Sequence, residues 1–199
     1  MTDLFAVGAT LCWGLVAGVW IVAAREHARD ARSRPALGPG AWSLLLGVAV
    51  LVFAAGVLGV EAATGLVVEV SWVEVIGLGT LVVATAFTVW ARLSLGAMWS
   101  VRPSIGSERR LCVTGPYAVT RHPIYTGILG MLLGTALLSG DAQAILAVPI
   151  MAVLVEVKVR REEELLVAAF PDEYPAYRRR VPQLVPGLQS IRHDVAHRG

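Results

Sequence analysis

Five apolar runs dominate this sequence, and each of them has to be kept from water. Residues 4–24, 41–60, 72–95, 124–138 and 144–157 contain only three charged residues, Glu74, Arg92 and Glu156. The first run is about 21 residues long. At about 1.5 Å of rise per residue it spans roughly 31 Å, which matches a bilayer's hydrocarbon core of about 30 Å. Only 16% of the chain is charged, against about a quarter in a soluble domain, and the deficit falls in these runs. The expectation is an all-α, multi-pass transmembrane protein of about five spans, ending in cytoplasmic amphipathic helices. Residues 1–199 read as one membrane domain, with three spans in 1–95, a helical hairpin in 96–188 and a polar tail in 189–199.

The placement of charge sets the expected orientation. All 17 basic residues lie in three segments, 25–34, 92–121 and 158 onward, and the intervening loops 61–71 and 139–142 contain none. By the positive-inside rule the three segments face the cytoplasm, which puts the N-terminus outside and the C-terminus inside. Nucleic-acid binding is not indicated, because the arginines mark loop ends without an interleaved aromatic platform. Phosphate-bearing head groups are the more natural neighbours of Arg102, Arg109 and Arg110. The Arg, Ala, Val and Gly bias is that of a GC-rich bacterial genome and points to a bacterial inner membrane. Cys12 and Cys112 form no disulfide framework, and Met1-Thr2-Asp3 lacks the positive start of a signal peptide.

Within the spans, the small residues Gly77, Gly79, Ala84 and Ala86 suit close helix contact. The runs 124–138 and 144–157 form a hairpin about Ser139-Gly140-Asp141, each arm short for a span. The arms therefore continue as helix into the cytoplasm or sit in thinned bilayer. Pro149 is expected to kink the second arm and open room between helices. From Lys158 the pattern is amphipathic, with Leu165, Leu166, Ala169 and Phe170 as a stripe that must dock on something. Residues 172–181 read as a short capped helix carrying Tyr174 and Tyr177, stopped by Pro182 and Pro186.

Two polar stretches at the hairpin's base stand out: GPYAVTRHPIYTG, residues 115–127, and RREEE, residues 160–164. Polar groups gathered at the edge of a span are costly unless they pair or bind something. His122 is either a hydrogen-bonded structural residue or a ligand-binding one. Pro123 suits the first position of a helix, whose N-terminal donors together with Arg121 suit a carboxylate or phosphate. The glutamates are either a solvated face paired as Lys158–Glu162 and Arg160–Glu164 or a seat for a cationic group such as an ammonium. The other histidines, His27, His193 and His197, have no metal-ligand spacing, so no metal site is expected.

These two stretches, followed by FPDEYPAYRRRVPQLVP, resemble the C-terminal half of the isoprenylcysteine carboxyl methyltransferase-like and phospholipid methyltransferase family of integral membrane enzymes. The resemblance covers about residues 95–188. It implies an S-adenosyl-L-methionine-dependent membrane methyltransferase whose cofactor binds at the cytoplasmic face, in the 96–188 core, and whose acceptor is a membrane lipid or lipophilic substrate. By motif position, Gly115, Pro116, Tyr117, Arg121, His122, Pro123, Tyr125 and Glu162 would line the cofactor pocket. Arg121 and His122 would take the methionine carboxylate and Glu162 its ammonium, with Tyr117 or Tyr125 supporting the adenosine. Lys158 and Glu163 would lie where methyl donor and acceptor meet. The sequence departs from the family at Lys158, commonly Arg, which costs the planar two-pronged grip on a carboxylate, and at Pro171, usually Gly. A prenylcysteine carboxylate, a lipid amine and a thiol all stay open as acceptors. A nicotinamide-dependent membrane reductase and a non-catalytic assembly factor are the rival readings, and the oligomeric state is open.

Overall fold

The computed structural model describes residues 2–29, 71–99 and 111–185, and every element in them is helical. The order is α1 Thr2–Arg29, α2 Ser71–Trp99, the single turn α3 Pro116–Val119, α4 Pro123–Ser139, α5 Ala142–Ala169 and α6 Glu173–Arg180. The expected second span at 41–60, its flanking loops, residues 100–110 and the tail from 186 lie outside the described residues. Trp72–Leu95 within α2 is long and apolar enough to cross a membrane; α1 and α4 contribute the shorter apolar stretches Ala6–Val22 and Pro123–Ser139. Only 28% of the α2 window is buried. Trp72, Val75, Ile76, Val83, Trp90 and Leu93 all stand exposed. A soluble core helix would bury such a surface, whereas lipid accepts it.

Helix α4 packs most extensively on α2, and more lightly on α5, while α1 packs on α2. The α2–α4 contact is a seam of small residues. A methyl group on Gly134 would lie 2.6 Å from the Leu81 amide nitrogen, and one on Gly77 would lie 2.8 Å from that of Leu138. A methyl on Gly127 would run into the Thr88 hydroxyl, and one on Gly130 would lie 2.8 Å from the Ala84 methyl. Gly79 has nothing within 4 Å and Ala86 is exposed, so these two expected packing positions face outward. Across the bundle, the Trp13 indole donates to the Thr135 hydroxyl at 3.1 Å, which in turn donates to the Met131 carbonyl. The Arg92 guanidinium lies over the Trp20 ring at 5.9 Å.

The hairpin turns at Gly140, whose φ of 62° is the left-handed conformation that commonly closes a helix. Beyond it α5 is one continuous helix, so the second apolar arm and the amphipathic segment are a single element. It runs on through Pro149, which is exposed. Pro149 thus lies on the outer side of α5, away from the α4 contact that it was expected to open. The amphipathic stripe also differs from expectation: Leu165 and Ala169 are exposed and only Leu166 and Phe170 are partly covered. Helix α6 has no side-chain cap, because Asp172 makes no hydrogen bond to the first turn.

Candidate functional site

The site forms where three elements meet: the turn between α3 and α4, the middle of α5, and α6 with the segment after it. Gly115 opens α3 with φ 61° and ψ −131°, backbone space that a side chain rarely enters, and Pro116 fills the first helical position. Thr120 returns the chain to an extended conformation, His122 precedes the first turn of α4, and Pro123 starts it. This compact double turn turns the Arg121 and His122 side chains inward; both residues are buried.

Arg121 meets Glu163 from α5. Its Nε donates to Glu163 Oε1 at 2.8 Å and its Nη2 lies 2.8 Å from the same oxygen. Nη1 donates to the carbonyls of Arg178, at 3.0 Å, and Val181, at 2.5 Å. The guanidinium thus acts inside the protein as a clasp between α5 and α6, its five N–H groups serving Glu163, Arg178 and Val181. This structural role was not expected, and it stands beside the ligand-carboxylate role that the motif implies. Burial by itself would push the Glu163 carboxyl up, but the neighbouring His122 ring and the Arg121 guanidinium outweigh it and hold the group down to about 2. Glu163 is thus an ionised, buried strut.

His122 sits between the two glutamates. Its Nε2 lies 3.4 Å from Glu163 Oε1 and its Nδ1 lies 3.9 Å from Glu162 Oε2. Nε2 is buried without a well-directed hydrogen bond, and so is the hydroxyl of Tyr174. Unpaired buried polar atoms cost about 1–3 kcal/mol each, and orphans of this kind in a native structure call for an explanation.

The outer glutamate differs in kind. Glu162 is 31% exposed; its Oε1 accepts from Tyr125 Oη at 2.8 Å and from Lys158 Nζ at 2.6 Å, while Oε2 accepts no hydrogen bond from the described residues. The pair Lys158–Glu162 forms as the spacing predicts, whereas Arg160 reaches back to Glu156 at 2.8 Å instead of forward to Glu164. The structure thus brings Gly115, Pro116, Tyr117, Arg121, His122, Pro123 and Tyr125 onto one turn, with the side chains of Arg121, His122 and Tyr125 reaching the glutamates of α5. Tyr117 serves partly through its backbone, its carbonyl accepting from Tyr177 Oη at 2.6 Å. Burial first of all raises the Tyr117, Tyr174 and Tyr177 hydroxyls above the ordinary range, so all three stay protonated, and Tyr177 donates as such.

Sequence reasoning missed the part played by the chain after α6. Residues 181–184 form a strap whose carbonyls are read from the α3–α4 turn. The Arg121 and His122 amides donate to the carbonyls of Pro182, at 2.8 Å, and Gln183, at 3.2 Å. The hydroxyls of Thr120 and Thr126 donate to the carbonyls of Gln183 and Leu184, both at 2.6 Å. Gln183 also reaches Glu156 at 3.1 Å. The available signal was the pair of threonines flanking Arg121-His122, which a helix or loop assignment does not explain. No cluster of His, Cys, Asp and Glu able to hold a metal occurs among the described residues.

Comparison with known proteins matches the same stretch. Residues 75–168 fit the profile of the isoprenylcysteine carboxyl methyltransferase (ICMT) family. The cobalt-zinc-cadmium resistance protein CzcN of Cupriavidus metallidurans is 35% identical over 104 residues, which cover 51% of this chain and 47% of CzcN. The protein-S-isoprenylcysteine O-methyltransferase of Schizosaccharomyces pombe is 34% identical over 80 residues, 40% of this chain and 34% of the yeast protein. The Homo sapiens protein of the same name is 28% identical over 137 residues, 64% of this chain and 46% of the human one. The chain spans about half the length, or less, of these curated relatives. From the first turn of α2 to the end of α5, the stretch that carries Arg121, His122, Lys158, Glu162 and Glu163, the chain is ICMT-like.

Proposed function

We propose that this chain is an S-adenosylmethionine-dependent integral membrane methyltransferase acting on a lipophilic or membrane-delivered acceptor. The observation that carries the reading is the convergence of the 115–127 turn and the 158–163 face of α5 at the base of an apolar hairpin. A half-exposed carboxylate oxygen and a buried imidazole stand together there. The names of the yeast and human relatives support the chemistry, and the exposed apolar faces of α2 and α5 support an acceptor that arrives through lipid.

The residues fit a zwitterionic methyl donor. Glu162 Oε2 accepts no hydrogen bond from the described residues and suits the ammonium, while the positive end of α4 suits the carboxylate. Tyr117, Tyr125, Gly115, Pro116 and Pro123 line the remainder, with the two tyrosines available to the adenosine. When bound, the donor supplies an electrophilic methyl on sulfonium, so the protein's task is alignment and exclusion of water. Lys158 stands toward the acceptor side; Arg121 and Glu163 hold the frame. The spans at 4–24, 41–60, 72–95 and in the hairpin make a five-span chain, with its basic segments, the site and the C-terminus in the cytoplasm.

Thermal stabilisation of the detergent-purified protein tests the reading. S-adenosylhomocysteine is expected to raise the melting temperature and NADPH to leave it unchanged. Stabilisation by NADPH alone favours a reductase; stabilisation by neither favours an assembly role. Incubating native-membrane lipid extracts with the protein and methyl-labelled S-adenosylmethionine then identifies the acceptor.

A further inference from the structure

Two acceptor atoms, on different elements, face one another at the site. Glu162 Oε2 is the oxygen that neither Tyr125 nor Lys158 uses, and it lies 3.9 Å from His122 Nδ1. That gap is too wide for a direct hydrogen bond and suits one donor atom bonded to both. Whether Nδ1 accepts depends on where the ring proton sits, because in a neutral imidazole one nitrogen donates and the other accepts. The other nitrogen, Nε2, faces the buried Glu163 carboxylate at 3.4 Å, and Arg121 keeps that carboxylate in place. Tyr174 approaches the same carboxylate from α6: it is 1% exposed, its hydroxyl has no other partner, and Glu163 is among the groups acting on it.

We propose that His122 Nδ1 and Glu162 Oε2 form a two-acceptor seat for a primary ammonium group, and that Glu163 and Tyr174 set this seat from behind by keeping the ring proton on Nε2. Nε2–H then points at Glu163, the Tyr174 hydroxyl donates to the same carboxylate, and both orphaned atoms are satisfied by a small shift. Hydrogen bonds of this kind often tighten only when the ligand is in place. The proposal rests on the methyl-donor reading and deepens it: the ammonium is held by two acceptors. His122 is thereby assigned to the ammonium, where the motif alone pointed to the carboxylate. Tyr174 is a positioning residue, acting through Glu163 and His122.

The test is calorimetric titration of the full-length protein with S-adenosylhomocysteine and with its deaminated analogue, which carries hydrogen in place of the α-amino group. The analogue is expected to bind on the order of thirtyfold more weakly, as for loss of a charge-assisted hydrogen bond. In Tyr174→Phe and in Glu162→Gln the ratio is expected to fall below about fivefold. Nitrogen-15 spectra of the wild-type imidazoles give a second readout that does not depend on any variant folding. His122 is expected to show one locked tautomer with Nε2 protonated, and Tyr174→Phe to mix the tautomers. Equal binding of the two ligands by the wild type, or a proton on Nδ1, overturns the seat. An unchanged ratio and tautomer in Tyr174→Phe removes Tyr174 from it. Failure of the wild type to bind either ligand overturns the methyl-donor reading itself.

Discussion

At the scale of single residues, the decisive balance is at Glu163. Desolvation opposes its charge, and the His122 ring together with the Arg121 guanidinium, which places two N–H groups on one oxygen, outweighs it. Removing the guanidinium leaves the buried carboxylate with only the longer contacts to His122, at 3.4 Å, and Arg178, at 3.5 Å, and takes a donor from the carbonyls of Arg178 and Val181. Arg121→Ala is therefore expected to cost about 3–5 kcal/mol of stability, read by denaturant titration in detergent. Arg121→Lys keeps the charge, but an ammonium cannot serve Glu163, Arg178 and Val181 together, so a smaller loss is expected. The pH dependence follows from the same group. A carboxyl lowered from 4.5 to about 2 adds stability that is fully present above 4.5 and is lost as pH falls through about 2. The drop across that window is on the order of 3 kcal/mol, and Glu163→Gln should abolish it. A melting curve that falls equally in both proteins over this range contradicts the assignment.

At the scale of elements, the α2–α4 seam holds the site's floor. Gly77, Leu81, Ala84 and Thr88 recur at four, three and four residues along α2, so they share one face, and Gly127, Gly130 and Gly134 answer them from α4. Gly134→Val puts its first carbon against backbone atoms, which cannot rotate aside, so the helices must separate. A loss of about 1–3 kcal/mol is expected, with lower ligand affinity because α4 carries His122 and Tyr125. Gly79→Ala is the control: nothing lies within 4 Å of it, and relief of the glycine penalty makes it neutral or stabilising by up to about 1 kcal/mol. The seam also shows what could be read beforehand. Gly77 and Ala84 were identifiable as packing residues, but composition alone could not separate them from Gly79 and Ala86, since which face of a lipid-embedded helix turns inward is decided by its partner. The Lys158–Glu162 pair was readable because i, i+4 geometry is local. The clasp of Arg121 on Arg178 and Val181 was not, because it joins residues nearly sixty positions apart through carbonyls that every residue possesses.

At the scale of the whole molecule, the site closes only when the chain returns after α6 to lie against the turn that begins α4. The strap at 181–184 meets the α3–α4 turn through its backbone carbonyls, and the donors are specific: two threonine hydroxyls, two amides and one guanidinium. Its side chains reach the hairpin separately, Gln183 at Glu156 and Leu184 on the apolar cluster around Leu132 and Val155, so the bonds to the turn can be weakened on their own. Each threonine hydroxyl contributes about 0.5–1.5 kcal/mol, so Thr120→Val with Thr126→Val removes about 1–3 kcal/mol from strap docking and leaves the apolar bundle as it was. The expected signature is split: hydrogen exchange at the Arg121 and His122 amides, which donate to the strap, speeds up by about tenfold or more, while exchange in α2 and the core of α4 is unchanged. Affinity for S-adenosylhomocysteine should fall in step with the strap, because the same amides fix the direction in which His122 points. Loss of protection throughout α2 and α4 instead would mean that the strap and the bundle fold as one unit, and that the site has no separately closing part.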